Sequence, residues 1–237
     1  AVPLTIIGVS YSVAAFPTLA ALFAKGHAED FLLQVKRALR PLFFWSIPAA
    51  ILVIVLRAQI VRVILGYGQF DWEATRLTAA ALAIFSLALL AQGIVLLVTR
   101  AYYAAGKTTR PLLFAVTSVL VSVAAAVILL PLFVANPEVR FFIESLLRIE
   151  DIEGTEVLVL PLSLMLGSLV QGVLLLYVFA KEFTFPLRFL WRSALQSFTA
   201  SILGGAIAYG TLDLMGRVVD INTFMGIFFQ GLAGGVM

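Results

Sequence analysis

Long apolar runs without a charged side chain divide this sequence into seven blocks. In chain order they cover residues 1–24, 41–56, 77–99, 111–137, 157–180, 193–212 and 221–237. A helix rising about 1.5 Å per residue needs roughly 20 apolar residues to cross the ~30 Å core of a bilayer. The pattern predicts seven membrane helices. The second block is the shortest, and we expect its helix to run from about Lys36 to Leu65, because Arg57 and Arg62 can snorkel to the headgroups.

A different pattern lies between the fourth and fifth blocks. From Glu138 to Glu153, apolar side chains recur at about helical spacing among charged ones. This pattern predicts an amphipathic helix over 138–153 that rests on the outer membrane interface. Docking of a partner on the outer side is an alternative role for the same segment.

Composition confirms the membrane class and narrows the chemistry. Hydrophobic residues make up 62% of the chain and charged residues 12%, with a mean hydropathy of +1.08. Soluble domains carry about 25% charged residues, so a soluble enzyme, a nucleic-acid reader and a disordered chain are excluded. The chain has no cysteine and one histidine, so we expect no disulfide, metal site or cofactor. No Asp or Glu lies in the middle of a block, which gives no support to an acid-based proton relay.

The charges divide unevenly between the two sides of the predicted bundle. Taken alternately, the connections place ten basic and three acidic side chains on one side, and six basic and ten acidic side chains on the other. The first side holds the segments 25–40, 100–110 and 181–192. The Lys/Arg bias assigns this side to the cytoplasm, for a chain that would cross the membrane several times.

Three further expectations concern the ends of the sequence, its small residues and Gln196. The sequence starts at Ala1 without an initiator Met and stops in an apolar run, so we expect a fragment of a longer protein with its first and last helices truncated. Gly204 and Gly205, with Ala200 and Ala208 nearby, predict close helix packing rather than a ligand site. Gln196, which lies within a block, is expected to hydrogen-bond between helices.

Arg40 is the candidate binding residue. It opens the second block, one turn after Lys36 and Arg37. A guanidinium group offers a planar fork of donors that suits diphosphate oxygens. An arginine at the cytoplasmic end of a helix is also what the positive-inside rule expects, so the residues alone leave both interpretations open.

Four motifs follow one another along the first part of the sequence: Pro3 with Gly8-Val9 and Phe16-Pro17-Thr18-Leu19; Leu39-Arg40 with Ile47-Pro48-Ala49; Gly66-Tyr67-Gly68-Gln69-Phe70; and Arg100-Ala101-Tyr102-Tyr103-Ala104-Ala105-Gly106-Lys107-Thr108-Thr109-Arg110-Pro111. In this order they resemble the C-terminal half of the MurJ/MviN lipid II flippases, a family within the superfamily of the MATE drug exporters and polysaccharide flippases. They cover roughly residues 1–135, and the remainder resembles the family by helix count. The outer segment 134–156 is longer than the family's usual short turn.

The resemblance implies an all-α, polytopic membrane helix bundle that forms one lobe of a two-lobed MATE-like transporter. It also implies transport of lipid II, a lipid-linked diphosphate sugar, from the inner to the outer leaflet by alternating access. Arg40 matches an arginine of the family's central cavity, so the resemblance favours substrate contact by Arg40, with Arg37 and Lys36 beside it. The missing N-terminal lobe of the same chain would complete the transporter.

Other functions stay open at this point. The close alternatives are a flippase for another undecaprenyl-linked sugar and a MATE-like exporter, although the absence of carboxylates within the blocks disfavours the exporter. A membrane scaffold that recruits cell-wall enzymes through 138–153 belongs to a different class. An enzyme acting on lipid phosphates is the weakest alternative, because no paired carboxylates, histidine cluster or nucleophile arrangement is present.

Overall fold

The computed structural model describes residues 2–65, 71–218 and 224–236, and these ranges are helical apart from short connections. The motif Gly66–Phe70 lies outside the described residues. The helices are α1 (Val2–Ala24), α2 (Ala28–Val55), α3 (Arg57–Leu65), α4 (Trp72–Ala104), α5 (Thr109–Ala135), α6 (Pro137–Leu147), α7 (Val159–Glu182, preceded by a 3₁₀ turn over Thr155–Leu158), α8 (Arg188–Val218) and α9 (Phe224–Val236).

The predicted class is confirmed: the chain is a polytopic, all-α membrane helix bundle. Within the described residues, five helices are long and apolar enough to cross a bilayer. They correspond to α2, α4, α5, α7 and α8, and α1 and α9 occupy the first and last apolar blocks. Each of the seven predicted blocks therefore contains a helix.

The prediction of one continuous helix from Lys36 to Leu65 is wrong. The helix begins earlier, at Ala28, and ends at Val55, after which α3 starts at Arg57. The guanidinium group of Arg57 donates to the carbonyl of Ile54 at 3.4 Å and to that of Leu147 at 3.2 Å. This side chain therefore binds a carbonyl at the end of α2 and joins the break to the last residue of α6.

The predicted helix over 138–153 is shorter than expected. It ends at Leu147 because Arg148 adopts a left-handed backbone conformation (φ 59°) and its N–H bonds back to the carbonyl of Glu144. The chain then turns inward, and Ile149 and Ile152 are buried in a small second core with Ile84 of α4. Residues 148–153 are therefore a folded connection and not the last turns of an amphipathic helix.

The main core lies around α4, which packs against α1, α2 and α7. Its largest fully buried side chains include Phe31, Tyr102 and Phe179. Rings from α2, α4 and α7 meet here, with Tyr102 and Phe179 5.3 Å apart between centroids and Phe31 and Phe183 5.9 Å apart. Helix α8 lies to one side of this core, where it packs against α2 and α9.

The connections gather at two opposite ends of the bundle. At the basic end, the α4–α5 connection meets the end of α7, where Lys107 Nζ lies 2.5 Å from Glu182 Oε1. At the acidic end, α3 and the start of α4 meet the segment 136–158, where Arg76 Nη1 lies 2.7 Å from Asp151 Oδ2. These contacts join connections that alternately crossing helices would place at the same end, and we refer below to the two ends as the basic end and the acidic end.

Candidate functional site

A groove of about 820 Å³ runs between α2 and α8 and reaches α9. Its lining comes from three helices: Arg40, Pro41, Phe44, Trp45, Pro48, Ala49, Ile51 and Leu52 of α2; Ser193, Gln196, Ser197, Ala200, Ser201, Gly204, Gly205 and Ala208 of α8; and Gly234 and Gly235 of α9. The volume lies in the range of small-molecule and cofactor sites. We refer to it below as the α2–α8 groove.

Helix α2 has two different faces, one buried in the core and one that lines the groove. Arg40, Phe44 and Pro48 follow each other at four-residue spacing and line the groove, whereas Leu39, Leu42 and Phe43 lie on the buried face. Side chains four apart lie one above the other on a helix. The sequence of α2 therefore supplies a core face and a groove face, with the only cation of the described lining at the end nearer the basic end of the bundle.

Two aromatic side chains of the groove lining are exposed on the surface of the bundle. Phe44 is 57% exposed and Trp45 52% exposed, and their rings form an edge-to-face pair with centroids 5.4 Å apart. Large apolar side chains this exposed are typical of surfaces that contact lipid or another part of the protein. These two rings therefore give the groove an apolar edge that lies outside the packed core.

The small residues of α8 create the space, and the two adjacent glycines differ in their role. A Cβ atom at Gly205 would lie 2.8 Å from Cγ2 of Ile51, so this glycine serves close packing as predicted. A Cβ atom at Gly204 would meet nothing within 4 Å, and Gly204 and Ala200 line the groove. The prediction that this stripe is devoted to packing is therefore wrong for Gly204 and Ala200.

The polar groups of the groove are few and lie mainly on α8. Ser193, Ser197 and Ser201 line it together with Gln196, whose side chain is exposed. Gln196 was expected to hydrogen-bond between helices, but among the described residues its side chain has no such partner. No carboxylate belongs to the part of the lining that the structure describes. Within the described ranges, no three His, Asp or Glu side chains lie close enough to hold a metal ion. An apolar trough with one guanidinium and several hydroxyl groups can bind an amphiphilic anion.

The three predicted binding residues separate in the structure. Arg40 lies in the lining of the groove, and its side chain is exposed. Arg37 is exposed and Lys36 half-buried, one turn nearer the basic end, and neither belongs to the lining. Sequence reasoning overlooked Gln196 and the serines of α8 as groove residues, although their three- and four-residue spacing marks one helix face.

Comparisons with known proteins agree on one family. The family model of the lipid II flippase MurJ matches residues 1–137. Two curated relatives, each named a probable lipid II flippase MurJ, come from Rhizobium tropici (30% identical over 129 residues, 54% of this chain and 24% of the relative) and Rhizobium meliloti strain 1021 (30% over 134 residues, 56% and 25%). The matches thus span about a quarter of the length of these relatives.

A solved structure extends the likeness over the whole chain. It is titled "Lipid II flippase MurJ, inward closed conformation" and aligns with a TM-score of 0.67 at 19% identity. The alignment covers 99% of this chain and 42% of that structure. At this level of identity the likeness concerns the fold, and it includes α6 to α9, which the family model does not match.

Proposed function

Because the chain belongs to the MurJ family of lipid II flippases, we propose that it forms the C-terminal lobe of a transporter that moves lipid II across the inner membrane. In this proposal lipid II passes from the inner to the outer leaflet by alternating access, and no covalent chemistry occurs. The remaining lobe would come from the rest of a longer chain, which fits the 42% coverage of the solved relative.

The observation that carries the proposal is Arg40 in the lining of the α2–α8 groove. A diphosphate accepts paired hydrogen bonds from a guanidinium group, and an apolar trough favours the lipid part of the molecule. Ser193 and Gln196 offer neutral donors and acceptors for the sugar. Arg37 and Lys36, one turn closer to the basic end, would raise the local concentration of the anion before it reaches Arg40.

The decisive experiment replaces Arg40 in the full-length protein. Hydrogen bonds to a charged group contribute about 1.5–3 kcal/mol, so Arg40→Gln should weaken lipid II binding about 10- to 100-fold. It should also fail to complement cells depleted of their flippase. Arg192→Gln is the matched control, because Arg192 is an exposed arginine of α8 outside the lining. Unchanged binding and complementation by Arg40→Gln would refute substrate contact by this residue.

We also propose a role for helix α6, as an anchor at the outer interface. Phe141, Phe142 and Leu146 are 60–70% exposed, whereas Glu144 on the opposite face is buried and paired with Arg140 at 2.7 Å. This apolar face beside a buried polar face is the arrangement of an interfacial helix. Replacing Phe142 with Gln should lower the quenching of a fluorophore at this site by brominated lipids while transport continues. Loss of function with intact lipid II transport would instead favour the scaffold alternative.

A further inference from the structure

Three arginines from different elements converge at the acidic end, around the end of α6. Arg57 of α3 donates to the carbonyl of Leu147 at 3.2 Å, and Arg76 of α4 donates to the carbonyl of Arg148 at 2.5 Å. Arg148 itself reaches α8, where its Nη1 lies 3.2 Å from the hydroxyl of Tyr209 and its guanidinium lies 5.9 Å from the centre of that ring.

Carboxylates neutralise only part of this cluster. Arg76 is bound by both oxygens of Asp151, each at 2.7 Å. Among the residues that the structure describes, Arg57 and Arg148 have no carboxylate within ion-pair distance, and their side chains contact carbonyl, hydroxyl and ring groups instead. Burial and the like charge of Arg148 lower the pKa of Arg57. Two guanidinium groups that repel each other are stabilised by an anion placed between them.

The position of this pair links it to the groove. Arg57 follows Leu56, whose side chain would contact a Cβ atom at Gly234 or Gly235, and both glycines line the groove. On α8, Tyr209 follows Ala208, which also lines it. Seventeen residues separate Arg40 from Arg57, which corresponds to about 25 Å along a helix. Arg57, Arg148 and Tyr209 do not belong to the described lining, so the pair lies beside the far end of the groove, at a distance from Arg40 close to the thickness of the hydrocarbon core.

We propose that Arg57 and Arg148 form an anion site at the acidic end of the α2–α8 groove, which receives the diphosphate of a lipid-linked sugar after it has crossed. This inference rests on the proposed function and adds a site on the opposite side from Arg40. Arg148 is exposed and Tyr209 is 53% exposed, so a headgroup can reach the pair from outside the bundle. Arg57 is half-buried and would form the floor of the site.

The test uses the full-length protein in lipid nanodiscs, with purified lipid II and inorganic pyrophosphate as separate probes. Arg57→Gln/Arg148→Gln removes both charges but keeps a side-chain donor for the carbonyl of Leu147. Losing one hydrogen bond to a charged group corresponds to about a tenfold change in affinity, so we expect lipid II to bind at least about tenfold more weakly. Arg140→Gln is the matched control, because that arginine lies at the same end and is paired with Glu144 and Glu156.

The two probes separate the sources of the anion. Weakened binding of lipid II, with pyrophosphate a poor ligand of the wild type, supports a lipid headgroup. Loss of pyrophosphate binding in the double variant with unchanged lipid II binding would support an anion site but overturn its assignment to the lipid. If the double variant does not fold, the exposed single variant Arg148→Gln should still weaken lipid II binding about tenfold.

The outcomes also separate this site from the proposed function. If the wild type binds lipid II and Arg40→Gln weakens it, but the Arg57 and Arg148 variants behave like the Arg140 control, only the second site is overturned. If the wild type binds neither lipid II nor pyrophosphate, both the site and the proposed function are overturned.

Discussion

The adjacent glycines of α8 allow the packing of α8 on α2 to be tested with a matched pair of variants. In Gly205→Ala the new methyl group would lie 2.8 Å from Cγ2 of Ile51 and 3.8 Å from Cγ2 of Val55. Optimal separations between carbon atoms are about 3.5–4.0 Å, so the helices must move apart or Ile51 must change its position. In Gly204→Ala the methyl group meets nothing within 4 Å.

The size of the effect follows from two opposing contributions. Replacing glycine by alanine inside a helix contributes about 0.5–1 kcal/mol of stability at either position. Inserting a methyl group into a packed contact costs about 1–3 kcal/mol. Because the helix propensity cancels between neighbours, Gly205→Ala should have a free energy of unfolding about 1–3 kcal/mol below that of Gly204→Ala. The Gly204 variant should be at least as stable as the wild type.

The assay measures the free energy of unfolding of the full-length protein in bicelles by denaturant titration, for both variants and the wild type. Ile51→Ala removes Cγ2 and provides the coupled control, since it should make Gly205→Ala less harmful but leave the effect of Gly204→Ala unchanged. Variants that differ by less than about 0.5 kcal/mol would be indistinguishable within ordinary additivity. Such a result would refute the close contact between α2 and α8 and the groove built beside it.

Three further predictions concern stability and use the same unfolding measurement. Thr155→Val removes the hydroxyl that donates to the buried carboxylate of Glu144 at 2.5 Å and should lower the free energy of unfolding by about 1–3 kcal/mol, whereas Thr155→Ser should change it little. Gly167→Ala would place a Cβ atom 2.7 Å from a backbone carbonyl oxygen of α5 and should cost about 1–3 kcal/mol; full stability would contradict the α5–α7 packing. Hydrogen bonds from Arg76 lower the pKa of Asp151 below its usual 3.8. The ionised carboxylate therefore stabilises the fold at neutral pH, and this contribution is lost as the pH falls below about 4. Asp151→Asn should make the free energy of unfolding decline less steeply in that range.

The helical blocks could be predicted from the sequence because they depend on one local quantity. A charged side chain in the hydrocarbon core is costly, so runs without charge mark the helices wherever they pack. The break at Leu56 has a different origin. It is joined to a contact between Arg57 and the carbonyl of Leu147, 90 residues away in the chain, and no local pattern around residue 56 indicates that partner.

The position at which α6 ends could not be predicted from the sequence either. The apolar spacing of residues 138–153 is compatible with a continuous helix, and Ile149 and Ile152 fit that spacing. Their burial against α4 competes with helix continuation, and the left-handed Arg148 turns the chain so that both side chains point to the second core. Local periodicity cannot distinguish an apolar residue that faces lipid from one that faces a neighbouring helix.

The groove depends on two patterns more than 150 residues apart. Arg40 is recognisable in the sequence as a cation within a membrane helix, which made both a topological and a binding role reasonable. The sequence around Arg40 does not reveal the groove, because its other side is formed by α8. There Ser197, Ala200 and Gly204 are too small to fill the space beside α2. A stripe of small residues on a membrane helix is usually read as a packing surface. Here α8 packs through Gly205 and leaves its neighbouring positions open, so one helix face both fixes the distance to α2 and creates the space in front of Arg40.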